Sequence, residues 1–182
     1  MINNEQQHNI YNVNEIRKNA NASIDCGAVT ETYALDLKQT YQLLNEALAG
    51  EAMCVLRYKH HQIIAKGIDF PQVAAEFKEH AETEEVHLMM IAERIDQLGG
   101  DPDFSPKSIL TRSPTEYGSP AGASLETLIR EDLVAERVVI DIYKKMINYF
   151  GDKDPTTRRM FESILEDEEE HASDLADLLA KV

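Results

Sequence analysis

Residues 79–100 read EHAETEEVHLMMIAERIDQLGG, and this stretch decides the fold. Its apolar residues recur every three or four positions, so it predicts a helix that begins near Pro71 and ends before the two glycines. Glu84 and His87 interrupt the apolar face of that helix. Because a carboxylate inside a core costs several kcal/mol unless a partner or a metal neutralises it, the stretch predicts a polar site within a helical bundle.

Three further segments have the same periodicity and the same kind of interruption. Residues 164–179 (ILEDEEEHASDLADLL) repeat the Glu-x-x-His pattern, and residues 44–58 (LNEALAGEAMCVLRY) and 131–143 (EDLVAERVVIDIY) each carry one inward glutamate. The interrupting side chains are Glu51, Glu84, His87, Glu136, Glu168 and His171. This internal repeat predicts two similar helix pairs that pack face to face.

The four segments predict an all-α four-helix bundle. We expect helices over residues 35–66, 71–98, 124–150 and from 155 to the end, with Gly67 as a cap of the first and Ser124 and Asp154 as N-caps of the last two. The short links within each pair predict antiparallel neighbours, whereas residues 99–123 can cross the whole bundle. Residues 1–34 are expected to form an N-terminal arm with a short helix near Val13 to Ala22, and residues 35–182 the bundle.

The positions of the glutamates along the helices predict that they meet at one level. At about 1.5 Å per residue, Glu51 and Glu84 lie roughly 20 to 24 Å from the link between their helices, and Glu136 and Glu168 lie at a matching distance from theirs. Four buried carboxylates repel one another, so a cation is expected among them. Carboxylates with a minority of imidazole suit two adjacent ions of iron, or of manganese, bridged by the two Glu-x-x-His carboxylates.

Composition limits the other classes of function. A net charge of −15 argues against DNA binding, and no apolar run is long enough to span a membrane. The N-terminus has no secretory signal pattern, so a soluble, cytoplasmic protein is expected. Cys26 and Cys54 cannot form a CxxC pair, which leaves neither a rubredoxin-type iron centre nor a zinc ribbon within the chain.

The four quoted segments resemble the ferritin-like superfamily, and within it the bacterioferritins and the Dps-like ferritins. The resemblance covers most of the chain after the N-terminal arm. It implies a ferroxidase that binds two iron ions per subunit at the six ligands, oxidises Fe(II) with O2 or H2O2, and stores ferric mineral inside a homo-oligomeric shell. It also implies that Tyr58 lies beside the ligands or takes part in the redox reaction.

Two departures from the bacterioferritin pattern alter these expectations. The methionine that ligates haem in bacterioferritins follows the first Glu of Glu-x-x-His, where this chain has Glu85, so haem is not expected. The residues after His171 are too few for the fifth helix of 24-subunit shells, so a shell of twelve subunits is favoured.

Alternatives stay open at this point. A peroxide-consuming di-iron or di-manganese enzyme of the rubrerythrin or catalase type would use the same ligands and store nothing, and a bundle whose metal serves only stability is a third reading. Tyr143 is interpreted as a core side chain, and His60 and His61 as surface histidines. His80, one turn before Glu84, is interpreted as a histidine at the edge of the core, with a position beside the ligands as the alternative.

Overall fold

The computed structural model describes residues 10–66, 70–118 and 122–181, and within these residues it is helical without strands. In these described ranges six α-helices follow one another, with a short 3₁₀ helix, Ile24–Cys26, after the first. They are α1 (Val13–Ala22), α2 (Leu37–Ile64), α3 (Phe70–Gln97), α4 (Pro106–Arg112), α5 (Leu125–Phe150) and α6 (Pro155–Leu179). The four long helices α2, α3, α5 and α6 confirm the predicted all-α bundle.

Capping residues set several of these boundaries. The side chain of Asp36 accepts a hydrogen bond from the backbone of Gln39 at the start of α2, and Ser124 begins α5 in the same way. Asp154 caps α6, with Pro155 at the first helical position. The left-handed Gly151, with a φ of 44°, ends α5. The predicted cap Gly67 lies outside the described residues.

Side-chain contacts between the helices give their relative directions. The Tyr41 hydroxyl bonds the Leu98 carbonyl, so the start of α2 lies against the end of α3. Lys144 of α5 pairs with Glu169 of α6. Later residues of α2 contact earlier residues of α5, so these two helices are antiparallel. Because α2 is antiparallel to both α3 and α5, these last two are parallel, as the long crossover between them predicts.

The apolar core has two parts with a polar level between them. One part contains Leu44, Leu48, Ile91, Ile95 and Phe161, and the other contains Val73, Phe77, Leu128 and Leu175. The predicted ligands lie in sequence between the members of these two clusters on every long helix. The two clusters therefore enclose the polar site from both ends of the bundle.

The crossover contains a helix, α4, that the sequence pattern did not reveal. At seven residues α4 is too short to show periodicity, and none of its residues is buried. Asp103 holds its two ends together by accepting hydrogen bonds from the backbone of Ser105 and from Arg112. Among the described residues, no helix combines the length and apolarity that crossing a membrane requires.

Candidate metal centre

All four long helices deliver the six predicted ligands to the interior. None of these residues is more than 5% exposed, and three of the four glutamates are completely buried. Helix α2 contributes one, α5 one, and α3 and α6 two each, namely Glu51, Glu136, Glu84 with His87, and Glu168 with His171. In α3 and α6 the i, i+3 spacing turns both side chains of a pair to the same face.

The six side chains form two overlapping groups. In one group the ligand atoms of Glu51, Glu84, His87 and Glu168 lie within 4.8 Å of one another, and in the other those of Glu84, Glu136, Glu168 and His171 do. Glu84 and Glu168 belong to both groups, so each has one carboxylate oxygen for either side. Each of the two groups could hold a metal ion, and the two groups share Glu84 and Glu168.

The two imidazoles approach the shared carboxylates from opposite sides. Nδ1 of His87 is 3.2 Å from Oε1 of Glu168 and 3.5 Å from Oε2 of Glu84. Nδ1 of His171 is 3.3 Å from the other oxygen of Glu84, Oε1. Each histidine therefore belongs to one of the two groups.

The hydrogen-bonding state of these atoms tests whether the residues fit a metal. Among the described residues, eleven buried side-chain nitrogen and oxygen atoms have no hydrogen-bond partner, and eight of them belong to the six predicted ligands. They include both carboxylate oxygens of Glu84 and Glu168 and Nδ1 of each histidine. Buried polar atoms are rarely left without partners, so their concentration at one point fits a cation-binding site.

The electrostatics of the site agree with this fit. Burial, and then the charges of Glu84 and Glu168, raise the pKa of Glu51 well above its usual range, and the same causes raise the pKa of Glu136. Burial by itself would lower the pKa of His171, but contacts with Glu168 and Glu84 outweigh it and raise that pKa to about 9. These raised pKa values mean that protons can balance the negative charge of the crowded carboxylates, as a bound cation also would.

Two buried tyrosines fix the carboxylates that are not shared. The Tyr58 hydroxyl on α2 donates to Oε1 of Glu136 on α5, and the Tyr143 hydroxyl on α5 donates to Glu51 on α2. In both glutamates the other oxygen, Oε2, has no partner. Tyr143 was interpreted as a core side chain, yet the repeat of Glu-x6-Tyr in α2 and α5 was the signal that assigns it the same position as Tyr58.

Asp167 also contacts the site, although the sequence showed it only as one member of an acidic run. Its Oδ2 lies 3.0 Å from Nε2 of His87. An Nε2–H that donates to Asp167 leaves the lone pair of Nδ1 directed toward Glu84 and Glu168, which is how carboxylates orient metal-binding histidines.

Two histidines lie elsewhere than the sequence suggested. His61 is completely buried and is not a surface histidine, because Nδ1 lies 2.7 Å from Oδ2 of Asp132, 71 residues along the chain. His80 is also buried, and its ring stacks on that of His171 with a centroid distance of 4.0 Å. Burial, and then the charge of His171, lower the pKa of His80 to about 3.

Comparison with protein families gives an independent result. The sequence model of the ferritin-like domain matches residues 41–182, which include the four long helices almost completely. A nutrient stress-induced DNA-binding protein of Nostoc sp. is 30% identical over 141 residues, which are 76% of each chain. A bacterioferritin of Desulfovibrio desulfuricans is 27% identical over 71% of this chain and 68% of its own length.

Solved structures agree with the sequence relatives. The bacterioferritin-related protein of Bacteroides fragilis, described as a dodecameric thioferritin, is 35% identical and superposes with a TM-score of 0.78. The superposition covers 81% of this chain and 88% of that chain. The range matched by the family model, residues 41–182, contains all six predicted ligands.

Proposed function

This chain belongs to the ferritin-like family, and from that premise we propose that it is a ferroxidase that also stores iron. It binds two Fe(II) ions as substrate, oxidises them with O2 or H2O2, and keeps the ferric product inside a homo-oligomeric shell. The proposed ligands are Glu51, Glu84, His87, Glu136, Glu168 and His171.

The observation that carries the proposal is the sharing of Glu84 and Glu168 by two groups of buried ligand atoms. A single metal ion would need only one such group. Two ions held side by side can each supply one electron, and two electrons reduce one H2O2 to two waters, or one O2 to H2O2, when two protons are taken up. Carboxylate oxygens with one imidazole per ion suit iron.

The proposal assigns a separate role to each group of residues. Glu84 and Glu168 bridge the two ions, and Glu51 with His87 and Glu136 with His171 complete one position each. Burial and the nearby glutamates raise the pKa of both Tyr58 and Tyr143, so these hydroxyls stay protonated at neutral pH and hold Glu136 and Glu51 in place. The apolar clusters on either side keep bulk water out of the centre.

Storage and assembly rest on the relatives. The Bacteroides fragilis protein is a dodecamer by its description, which supports a shell of twelve chains here. The name of the Nostoc relative includes DNA binding. For this chain the net charge of −15 opposes contact with phosphates, so we propose a shell that does not retain DNA.

The decisive experiment adds Fe(II) in air to the wild-type protein and to Glu84→Ala, and follows ferric absorbance and the iron that stays with the protein after gel filtration. The matched control is Glu85→Ala, since Glu85 is the next residue but points outward and pairs with Lys59. We expect fast oxidation and many retained ions per chain in wild type and control, and neither in Glu84→Ala.

Other results would contradict this function. Retention of only about two ions per chain, with rapid consumption of H2O2, would replace storage by a peroxide-detoxifying enzyme of the rubrerythrin or catalase type. Equal oxidation rates in wild type and Glu84→Ala would remove the proposed centre altogether.

A further inference from the structure

A third cluster of metal-ligand atoms lies on the same two helices as the dinuclear centre but outside it. Glu76 and His80 are one turn apart on α3, and Asp174 faces them from α6. Ligand atoms of the three residues lie within 4.8 Å of one another. His80 is only 2% exposed, whereas both carboxylates are partly exposed, so the cluster opens to solvent on one side.

The hydrogen bonds of Tyr58 determine which nitrogen of His80 carries the hydrogen. The Tyr58 hydroxyl has one hydrogen, and it donates this hydrogen to Glu136. Nδ1 of His80 lies 3.2 Å from the same hydroxyl oxygen, so Nδ1 must donate to it. In the neutral ring, Nε2 then carries a lone pair instead of a hydrogen.

That lone pair points toward other acceptors. Nε2 of His80 lies 3.5 Å from Oε1 of Glu76, and Asp174 completes the cluster. Two ionised carboxylates offer no hydrogen to the imidazole lone pair beside them, and a bound cation would satisfy all three groups together. Sequence patterns do not reveal this cluster because Asp174 lies on another helix, far from His80 along the chain.

We propose that Glu76, His80 and Asp174 form a third, mononuclear site for a divalent first-row transition-metal ion such as Fe(II). One imidazole and two carboxylates are ligands that such ions accept, and the open side leaves coordination positions for water. His80, a ligand of the proposed ion, stacks on His171 of the dinuclear centre, so the two sites are neighbours. The site goes beyond the proposed function and does not require that the dinuclear centre oxidise iron.

Counting bound Co(II), which is stable in air, tests the inference. The test variant is Glu76→Gln/Asp174→Asn, which changes only partly exposed side chains and keeps their shape. Its control is Glu79→Gln/Asp177→Asn, which removes the same charge from exposed positions of the same helices. By calorimetric titration, the test variant is expected to bind one ion fewer per chain than wild type, and the control the same number as wild type. Crystals soaked in Co(II) should show an anomalous peak beside Nε2 of His80 in wild type and control only.

The outcomes separate this inference from the proposed function. Equal ion counts in wild type and Glu76→Gln/Asp174→Asn, or no peak at His80, would overturn the third site and leave the dinuclear centre untouched; the cluster would then hold a proton in place of a metal. A Glu84→Gln/Glu168→Gln variant that keeps the ion at His80 supports the third site even if the wild-type protein fails to oxidise Fe(II).

Discussion

The interior of this bundle holds two groups of buried charges that differ in one respect. Around Arg57 every group has a partner: its Nε donates to Asp132, its two other nitrogens donate to the Glu116 carbonyl and to Cys54, and His61 bonds the second oxygen of Asp132. Around Glu84 and Glu168 the carboxylate oxygens have no hydrogen-bond partner. Both groups are buried, so burial alone does not distinguish them; the lack of hydrogen-bond partners does.

The largest expected effect is a loss of unfolding free energy when Asp132 is replaced. Asp132→Asn removes the negative charge beside Arg57, and breaking a buried ion pair in this way costs about 3–5 kcal/mol of unfolding free energy. The measurement is a urea titration of the metal-free protein at fixed concentration. Asp141→Asn, an exposed aspartate of the same helix, is the control and should stay within about 0.5 kcal/mol of wild type. An equally small change in unfolding free energy for Asp132→Asn would show that the Arg57 network does not stabilise the fold.

The metal centre should respond to ions where the Arg57 network does not. At a Co(II) concentration about 100 times the dissociation constant, binding to the folded state alone adds about 2.7 kcal/mol to the unfolding free energy. Glu84→Gln/Glu168→Gln should lose most of this gain, whereas Asp132→Asn should keep it. The control Glu85→Gln/Glu169→Gln alters the neighbouring exposed glutamates. A full gain without Glu84 and Glu168 would mean that the ions bind elsewhere.

Asp167 tests whether the metal centre depends on residues that do not touch the ion. Asp167→Ala removes the acceptor of His87 Nε2, and loss of such an orienting partner lowers metal affinity by about 10–100-fold. Competition with a coloured chelator measures this affinity, and Glu166→Ala, an exposed neighbour, provides the reference. Unchanged affinity in Asp167→Ala would indicate that packing alone holds the His87 ring.

The smallest effect concerns pH and a second satisfied network, in which Arg94 and Thr157 donate to Asp154. Although burial opposes it, these hydrogen bonds and the Arg94 charge lower the pKa of Asp154. A lowered pKa stabilises the fold above the unfolded-state value of about 3.9, and this stability disappears as pH falls through the lower folded-state value. Replacing an N-cap side chain typically costs about 1 kcal/mol, and this sets the scale of the expected loss.

Acid titration of unfolding free energy checks the Asp154 prediction. Asp154→Asn should flatten the acid limb of the curve, and Asp152→Asn, which removes a fully exposed aspartate nearby, should not. If the acid limb stays equally steep in Asp154→Asn, the loss of unfolding free energy at low pH belongs to other carboxyl groups.

The sequence was sufficient for the features that repeat along the chain. Helical periodicity identified the long helices, and the interruption of four apolar faces at one level identified Glu51, Glu84, Glu136 and Glu168. What it missed depends on partners distant in sequence. His61 is buried with its Nδ1 against Asp132 of another helix, and nothing near His61 in the chain indicates this. The same holds for Asp167, since its partner His87 lies on another helix.

The crossed hydrogen bonds of the tyrosines have a consequence for how such a site can arise. Tyr58 holds a glutamate of the second helix pair, and Tyr143 holds one of the first, so neither pair contains a complete set of contacts. A single hairpin with one inward Glu-x6-Tyr and one Glu-x-x-His would nevertheless supply every one of these contacts if it associated with a copy of itself about a two-fold axis. Joining two copies by the crossover then needs no new ligand, only a linker.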